Sequence, residues 1–162
     1  MGMKNTITCY DIHGQPHEVP VSVLSFRPAV YGIVIRDGHV LAHRMGEKYD
    51  LPGGGMEVHE SLHEALLREV REETGLEVRP IDLVHADSSL FYLPGIDHPV
   101  NSIGHFYHCE ITSGEISNEG QDGWERGVYE GTAWIPLSEA VTLRFNHPMA
   151  VPALRKLLDR MA

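Results

Sequence analysis

The stretch from Leu51 to Leu76 constrains this chain most, because it joins three consecutive glycines to a helix that carries acids on its inward face. Leu51, Pro52, Gly53, Gly54 and Gly55 predict a loop without regular structure, whose backbone can approach a ligand closely. Ser61 followed three residues later by Glu64 has the signature of a capping box, and Gly75 after Thr74 is a left-handed terminator. The spacing therefore predicts a helix over residues 61–74, with Leu62, Ala65, Leu66 and Val70 as its apolar stripe. At about 100° per residue, with Leu62 at zero, Leu66 falls near about 40° and Val70 near about 80°. Glu69 then falls at roughly −20° and Glu73 at roughly +20°, so both continue the stripe, while Glu72 lies at its edge and Arg71 on the opposite side. A solvated acidic face would place these glutamates with Arg71. Carboxylates about 6 Å apart repel by roughly 3 kcal/mol at an effective dielectric near 20, and partly buried ones protonate unless a cation stands by them. Arg68 supplies part of that charge. A hard divalent ion bound through oxygen supplies more, and Mg²⁺ characteristically joins a few carboxylates to phosphate oxygens.

Elsewhere the patterning mixes strands with helices. Residues 7–11 and 17–26 read as short strands around a His13-Gly14 turn, and residues 30–36 and 39–44 flank Asp37-Gly38, a two-residue hairpin turn. Residues 76–83 and 103–111 read as strands, with a Pro- and Gly-punctuated loop over 88–102. Residues 113–131 read as a second long polar loop, the kind of segment in which binding groups often reside. Trp134-Ile135 reads as a short strand, Pro136 to Ser138 as the start of a short helix, and residues 151–161 as a C-terminal helix. There is no repeat, low-complexity tract or linker, so residues 1–162 read as one domain of a layered α/β or α+β fold.

Gly54, Glu60, Arg68, Glu69, Val70, Glu72, Glu73, Gly75 and Leu76 fill every specified position of the Nudix box, so the chain is identified as a member of the Nudix hydrolase family, MutT-like and of no assigned subfamily. Leu51 to Gly54, the hairpin with Arg44, and Trp134 to Leu137 look like their counterparts in that family. His59 departs from it, since many members carry Gly there. The resemblance implies an α/β/α sandwich with a mixed sheet, and a pyrophosphohydrolase that cuts an acid anhydride in a nucleoside diphosphate linked to another group. It implies Mg²⁺, for which Mn²⁺ can substitute, gathered by Glu69, Glu72 and Glu73 with the carbonyl of Gly54. Arg68, together with Glu60, would orient these glutamates. Family members often add an acid from the loop before the Trp segment, for which Glu130 and Glu125 stand ahead of Glu119 and Asp122. Homodimers are common in the family.

The remaining features narrow the function without naming a substrate. A formal net charge of −10 argues against binding duplex nucleic acid through its phosphates, while small nucleotides remain compatible if a bound cation inverts the local field. No apolar run is long enough to span a bilayer, and two distant cysteines, Cys9 and Cys109, fit a reducing cytoplasm. Arg44, Lys48 and Arg27 are candidate phosphate contacts. Phe91, Tyr92 and Tyr107 are candidates to stack on a base, Tyr92 and Pro94 are the residues beyond the box that bear on subfamily, and His43, His105 and His108 read as structural. Two alternatives compete. His59-Glu60-Ser61-Leu62-His63 spells the HExxH of zinc peptidases, but Ser61 as helix cap puts His59 outside the helix. A non-catalytic nucleotide sensor on the same fold would not need the full set of glutamates.

Overall fold

The computed structural model describes residues 5–93 and 98–162. Asp37 and Gly38 both adopt positive φ, 49° and 73°, as a tight hairpin turn requires. They join β3 (Ser25–Arg36) antiparallel to β4 (His39–Met45). Side chains along these strands alternate between two faces. Val30, Val34 and Leu41 point to one, where they pack with Ala65, Leu66 and Val70 of α1 (Leu62–Thr74). Ile33, Val40 and Ala42 point to the other, where Phe106 and Ala153, Leu154 and Leu157 of α4 (Ala150–Met161) complete the second core.

The other elements are β1 (Thr6–Tyr10), β2 (Pro16–Pro20), β5 (Lys48–Asp50), β6 (Gly53–Gly55), β7 (Leu76–Leu93), β8 (His98–Gly114), α2 (Gly123–Val128), β9 (Gly131–Pro136) and α3 (Leu137–Ala140). The sheet runs β2-β1-β7-β8-β3-β4-β5, with β6 added on β3 and β9 on β4. β1 lies parallel to β7 and β3 parallel to β8, while the other pairs are antiparallel. This is the mixed sheet between helices that the sequence led us to expect. No helix among the described residues is long and apolar enough to cross a membrane.

Four local expectations are corrected. The glycines at 53–55 are a strand, not an irregular loop, pairing with Ala29 to Tyr31. The approach is so close that a Cβ on Gly53 would lie 2.1 Å from the Val30 carbonyl oxygen and 2.7 Å from Tyr31 Cα. Within the expected loop at 88–102, the described residues are strand: β7 runs on to Leu93 and β8 starts at His98, paired in regular register. Residues 17–26 are interrupted by a 3-10 turn at Val21–Val23, and the polar segment 113–131 contains α2. Because backbone rather than flexible side chain blocks the site at residue 53, Gly53→Ala is expected to cost about 3 kcal/mol. Urea unfolding checks this, and an unshifted midpoint would mean β6 does not press on β3.

Candidate metal centre

The helix that carries the acids is fixed at both ends. Ser61 Oγ accepts from the Glu64 N–H at 3.2 Å, Glu64 Oε2 accepts from the Ser61 N–H at 2.7 Å, and Gly75 closes the helix at φ 77°. With α1 locked over the sheet, the wheel arithmetic acquires physical content. The Glu73 residue is 1% exposed, the Glu69 side chain 12% and the Glu72 side chain 46%. Glu69 and Glu73 thus extend the buried stripe and Glu72 sits at its rim.

Each inward glutamate is held by neighbours from another element. Glu73 Oε2 accepts from the Gly53 N–H at 3.0 Å and is hydrogen-bonded to His43 Nε2 at 3.1 Å. His43 is fully buried, stacks on Tyr129 with ring centroids 4.5 Å apart, and meets Thr132 Oγ1 through Nδ1 at 3.3 Å. Burial lowers its pKa to about 4, so it is neutral at neutral pH. Arg68 forks across Glu60, donating from Nη2 to Oε2 at 2.8 Å and from Nε to Oε1. Its Nη1 reaches Glu69 Oε1 at 2.9 Å and Glu72 Oε2 at 3.3 Å, and its Nη2 also reaches the Gly55 carbonyl at 3.2 Å. The hydrogen-bonded guanidinium holds Glu60 down at about 2. Gly54 lies directly against Glu69: a Cβ there would be 2.7 Å from Oε1.

The third acid comes from α2. Ligand atoms of Glu69, Glu73 and Glu125 all lie within 4.8 Å of one another. Gln121 fastens this segment to α1 by donating from Nε2 to the Glu73 carbonyl at 3.1 Å, and the Ser117 N–H donates to the Thr74 carbonyl at 2.8 Å. Desolvation, then the charges of Glu125 and Glu69, push Glu73 well above the ordinary carboxylate range, and desolvation raises Glu69 as well. Three carboxylates, two of them desolvated, converge on the cleft wall with one guanidinium beside them, which leaves negative charge uncompensated. An oxygen donor set of this kind fits a hard divalent cation.

Other candidates fall elsewhere. Glu130 is exposed and pairs with Arg44 at 3.7 Å on the surface, outside the cluster. The Glu119 carbonyl accepts from Arg126 in the loop before α2, and Asp122 caps α2 by accepting from the Glu125 N–H at 2.8 Å. Of the three cations, Arg27 lines the cleft, a cavity of about 360 Å³ that also contains Gly54, Arg68, Glu69, Glu73 and Glu125. Lys48 Nζ donates to the Ile12 carbonyl instead. Phe91 lines the cleft, Tyr92 packs on His17 at 4.5 Å, and Tyr107 is buried in the core under α1. Pro94 lies outside the described residues. The HExxH ligands do not converge: His59 pairs with Glu57 at 3.5 Å, Glu60 is occupied by Arg68, and His63 stands edge-on to Tyr107. His105 bonds the Ala29 carbonyl and His108 faces Asp82. His43, expected from its alternation to be structural, touches Glu73. The available signal was its parity with Leu41, which aims it at α1.

Asp50, half-buried on the cleft wall, is raised by desolvation to about 7 although the Asn146 side chain and the His147 backbone bond it. The folded protein therefore keeps a proton that the unfolded chain releases above about pH 4. Asp50 contributes stability below that pH and loses the contribution as pH rises toward about 7. Asp50→Asn should accordingly lose less melting temperature than the parent between about pH 4.5 and about pH 7.5, measured in chelator. Parallel curves for the two proteins would contradict this.

A family model described as the NUDIX domain matches residues 25–161. Among solved structures, a NUDIX hydrolase from Nitrosomonas europaea is 17% identical, with a TM-score of 0.65 over 84% of this chain and 90% of that one. A MutT NUDIX hydrolase from Burkholderia pseudomallei is 18% identical, TM-score 0.64, over 82% and 98%. An ADP-ribose pyrophosphatase from Streptococcus suis is 16% identical, TM-score 0.60, over 85% and 92%. At these identities the likeness is one of fold.

Proposed function

This chain belongs to the NUDIX domain family, and from that premise we propose that it is a magnesium-dependent hydrolase cutting the phosphoanhydride bond of a nucleoside diphosphate linked to another group. The observation that carries this reading is the convergence of Glu69, Glu73 and Glu125 within 4.8 Å at the wall of an open cleft. These three would hold the ion, with Glu72 at the rim and Gly54 lying against Glu69. Bound there, Mg²⁺ supplies positive charge that acidifies water and draws electron density from phosphate oxygens.

The chain's own residues do the rest. Arg68 fixes the rotamers of Glu69 and Glu72 through its fork on Glu60. His43 and the Gly53 N–H hold one oxygen of Glu73 and leave the other directed by that bond. Arg27 offers the cleft a fixed cation for a phosphate oxygen. A glutamate of the cluster takes the proton of the attacking water as its oxygen bonds to phosphorus, and the bridging P–O bond breaks to release the second phosphate group. The substrate is a small nucleotide, the 162 residues act as one domain, and the two free, buried cysteines suit a reducing cytoplasm.

The test is a panel of nucleoside triphosphates, ADP-ribose, sugar nucleotides and dinucleoside polyphosphates, incubated with Mg²⁺ or with chelator. At least one compound should be cleaved, and only with the metal. A tight nucleotide complex that yields no product after long incubation would replace the hydrolase by a sensor.

A further inference from the structure

The family match begins at residue 25, but the sheet begins earlier. β1 and β2 form a hairpin that joins the free edge of β7, with Tyr10 paired to Phe91. This addition borders a second, open cavity of about 760 Å³ between β1, the turn at Val21–Val23 and the β7–β8 pair. The cavity is not separate from the cleft, since Ser89, Phe91, Asn146 and Pro148 line both. A polar row connects them: Ser102 is register partner to Arg27 on one side and to Ser89 on the other.

The chemistry of the walls restricts the occupant. Among the described residues no Lys or Arg lines the chamber, so none of them offers a phosphate a cation there. The single acid among the described lining residues, Asp11, is already engaged, Oδ1 by the N–H groups of His13 and Gln15 at 2.8 and 2.9 Å and Oδ2 by His17 at 2.8 Å. The rest is mainly apolar or aromatic, including Tyr10, Leu24, Leu90 and Phe91. Two amides, Asn101 and Asn146, interrupt it, and Asn101 Oδ1 is enclosed with no partner among the described residues. A flat heterocycle with N–H groups on its edge suits such a chamber: its faces meet the aromatic rings and its edge offers donors to amide oxygens.

We propose that the N-terminal hairpin is the specificity element of this protein, and that its chamber takes the nucleobase of a substrate whose diphosphate lies at Glu69, Glu73 and Glu125. The proposal rests on the hydrolase reading for where the phosphates lie. The shared wall at Ser89 and Phe91 is where the ribose passes from cleft to chamber.

Binding of AMP, GMP, CMP, UMP and ribose 5-phosphate, measured by calorimetry in Mg²⁺, tests it. The parent should bind at least one nucleotide about tenfold or more tighter than ribose 5-phosphate. Tyr10→Ala and Asn101→Ala should reduce that ratio to about threefold or less while leaving ribose 5-phosphate affinity unchanged. Leu24→Trp, which fills the chamber without deleting a polar group, should do the same, with melting temperature as the check on folding. Equal binding of all five ligands by the parent, or an intact ratio in the folded variants, would overturn the proposal. Base-selective binding with no hydrolysis of any compound would sink the hydrolase reading alone, whereas hydrolysis without base selectivity would sink the chamber alone.

Discussion

Glu73→Gln is expected to cripple hydrolysis while leaving the metal-free protein at least as stable as the parent. The side chain is buried against His43 and Gly53, and Glu69 and Glu125 face it across the pocket. Its carboxyl is pushed well above the usual range, chiefly by desolvation. The folded state therefore binds a proton that the unfolded chain gives up above about pH 4.5, and stability falls as pH rises from there. Glutamine keeps the shape and the hydrogen-bonding oxygen but has no charge to bury. In chelator near about pH 7.5 the variant should melt no lower than the parent, and the difference should shrink toward about pH 4.5. Activity behaves oppositely, because the anionic oxygen is what a divalent ion requires. The turnover number should fall on the order of a thousandfold, the scale expected when one preorganised electrostatic stabiliser is removed, and added Mg²⁺ should no longer raise the melting temperature. Turnover at the parent's rate would refute the assignment.

Glu125→Gln should lower kcat by on the order of a hundredfold to a thousandfold, while Glu130→Gln should leave it within about twofold. The two residues are close in sequence and are both glutamates, so only position separates them. Glu125 sits on α2 and brings its carboxylate into the group with Glu69 and Glu73. Glu130 is half-exposed beside Arg44, where solvent screens the pair and its loss costs little. Steady-state kinetics on the substrate found by the panel decides between them. A severe defect at Glu130 with a mild one at Glu125 would mean that the base reaches the site from β9's approach and not from α2.

The difference between those two glutamates shows where the sequence was readable. Helix α1 was legible in full because everything that defines it is local: Ser61 and Glu64 cap one end, Gly75 the other, and a period of 3.6 residues places Glu69 and Glu73 beside Leu66 and Val70. Non-local pairing was not. Gly53 to Gly55 carry no strand propensity and become β6 only because β3 lies against them. The run over residues 88–102 reads as turn chemistry, yet Ser88 to Leu93 pair with residues 98–103 because β7 and β8 face each other there. For Glu125 and Glu130 the deciding contacts belong to Gln121 and Arg44, and sequence distance said nothing of either. His43 required knowing that β4 turns that face toward α1. The second chamber required knowing that a hairpin from the N-terminus closes on the edge of β7.

A crystal soaked in Mn²⁺, with anomalous scattering recorded, decides whether the carboxylates of Glu69, Glu73 and Glu125 hold a divalent ion. A peak is expected between Glu69, Glu73 and Glu125, about 2.0–2.3 Å from their oxygens. A peak only elsewhere on the molecule, or none at saturating metal with these carboxylates unmoved, would contradict it.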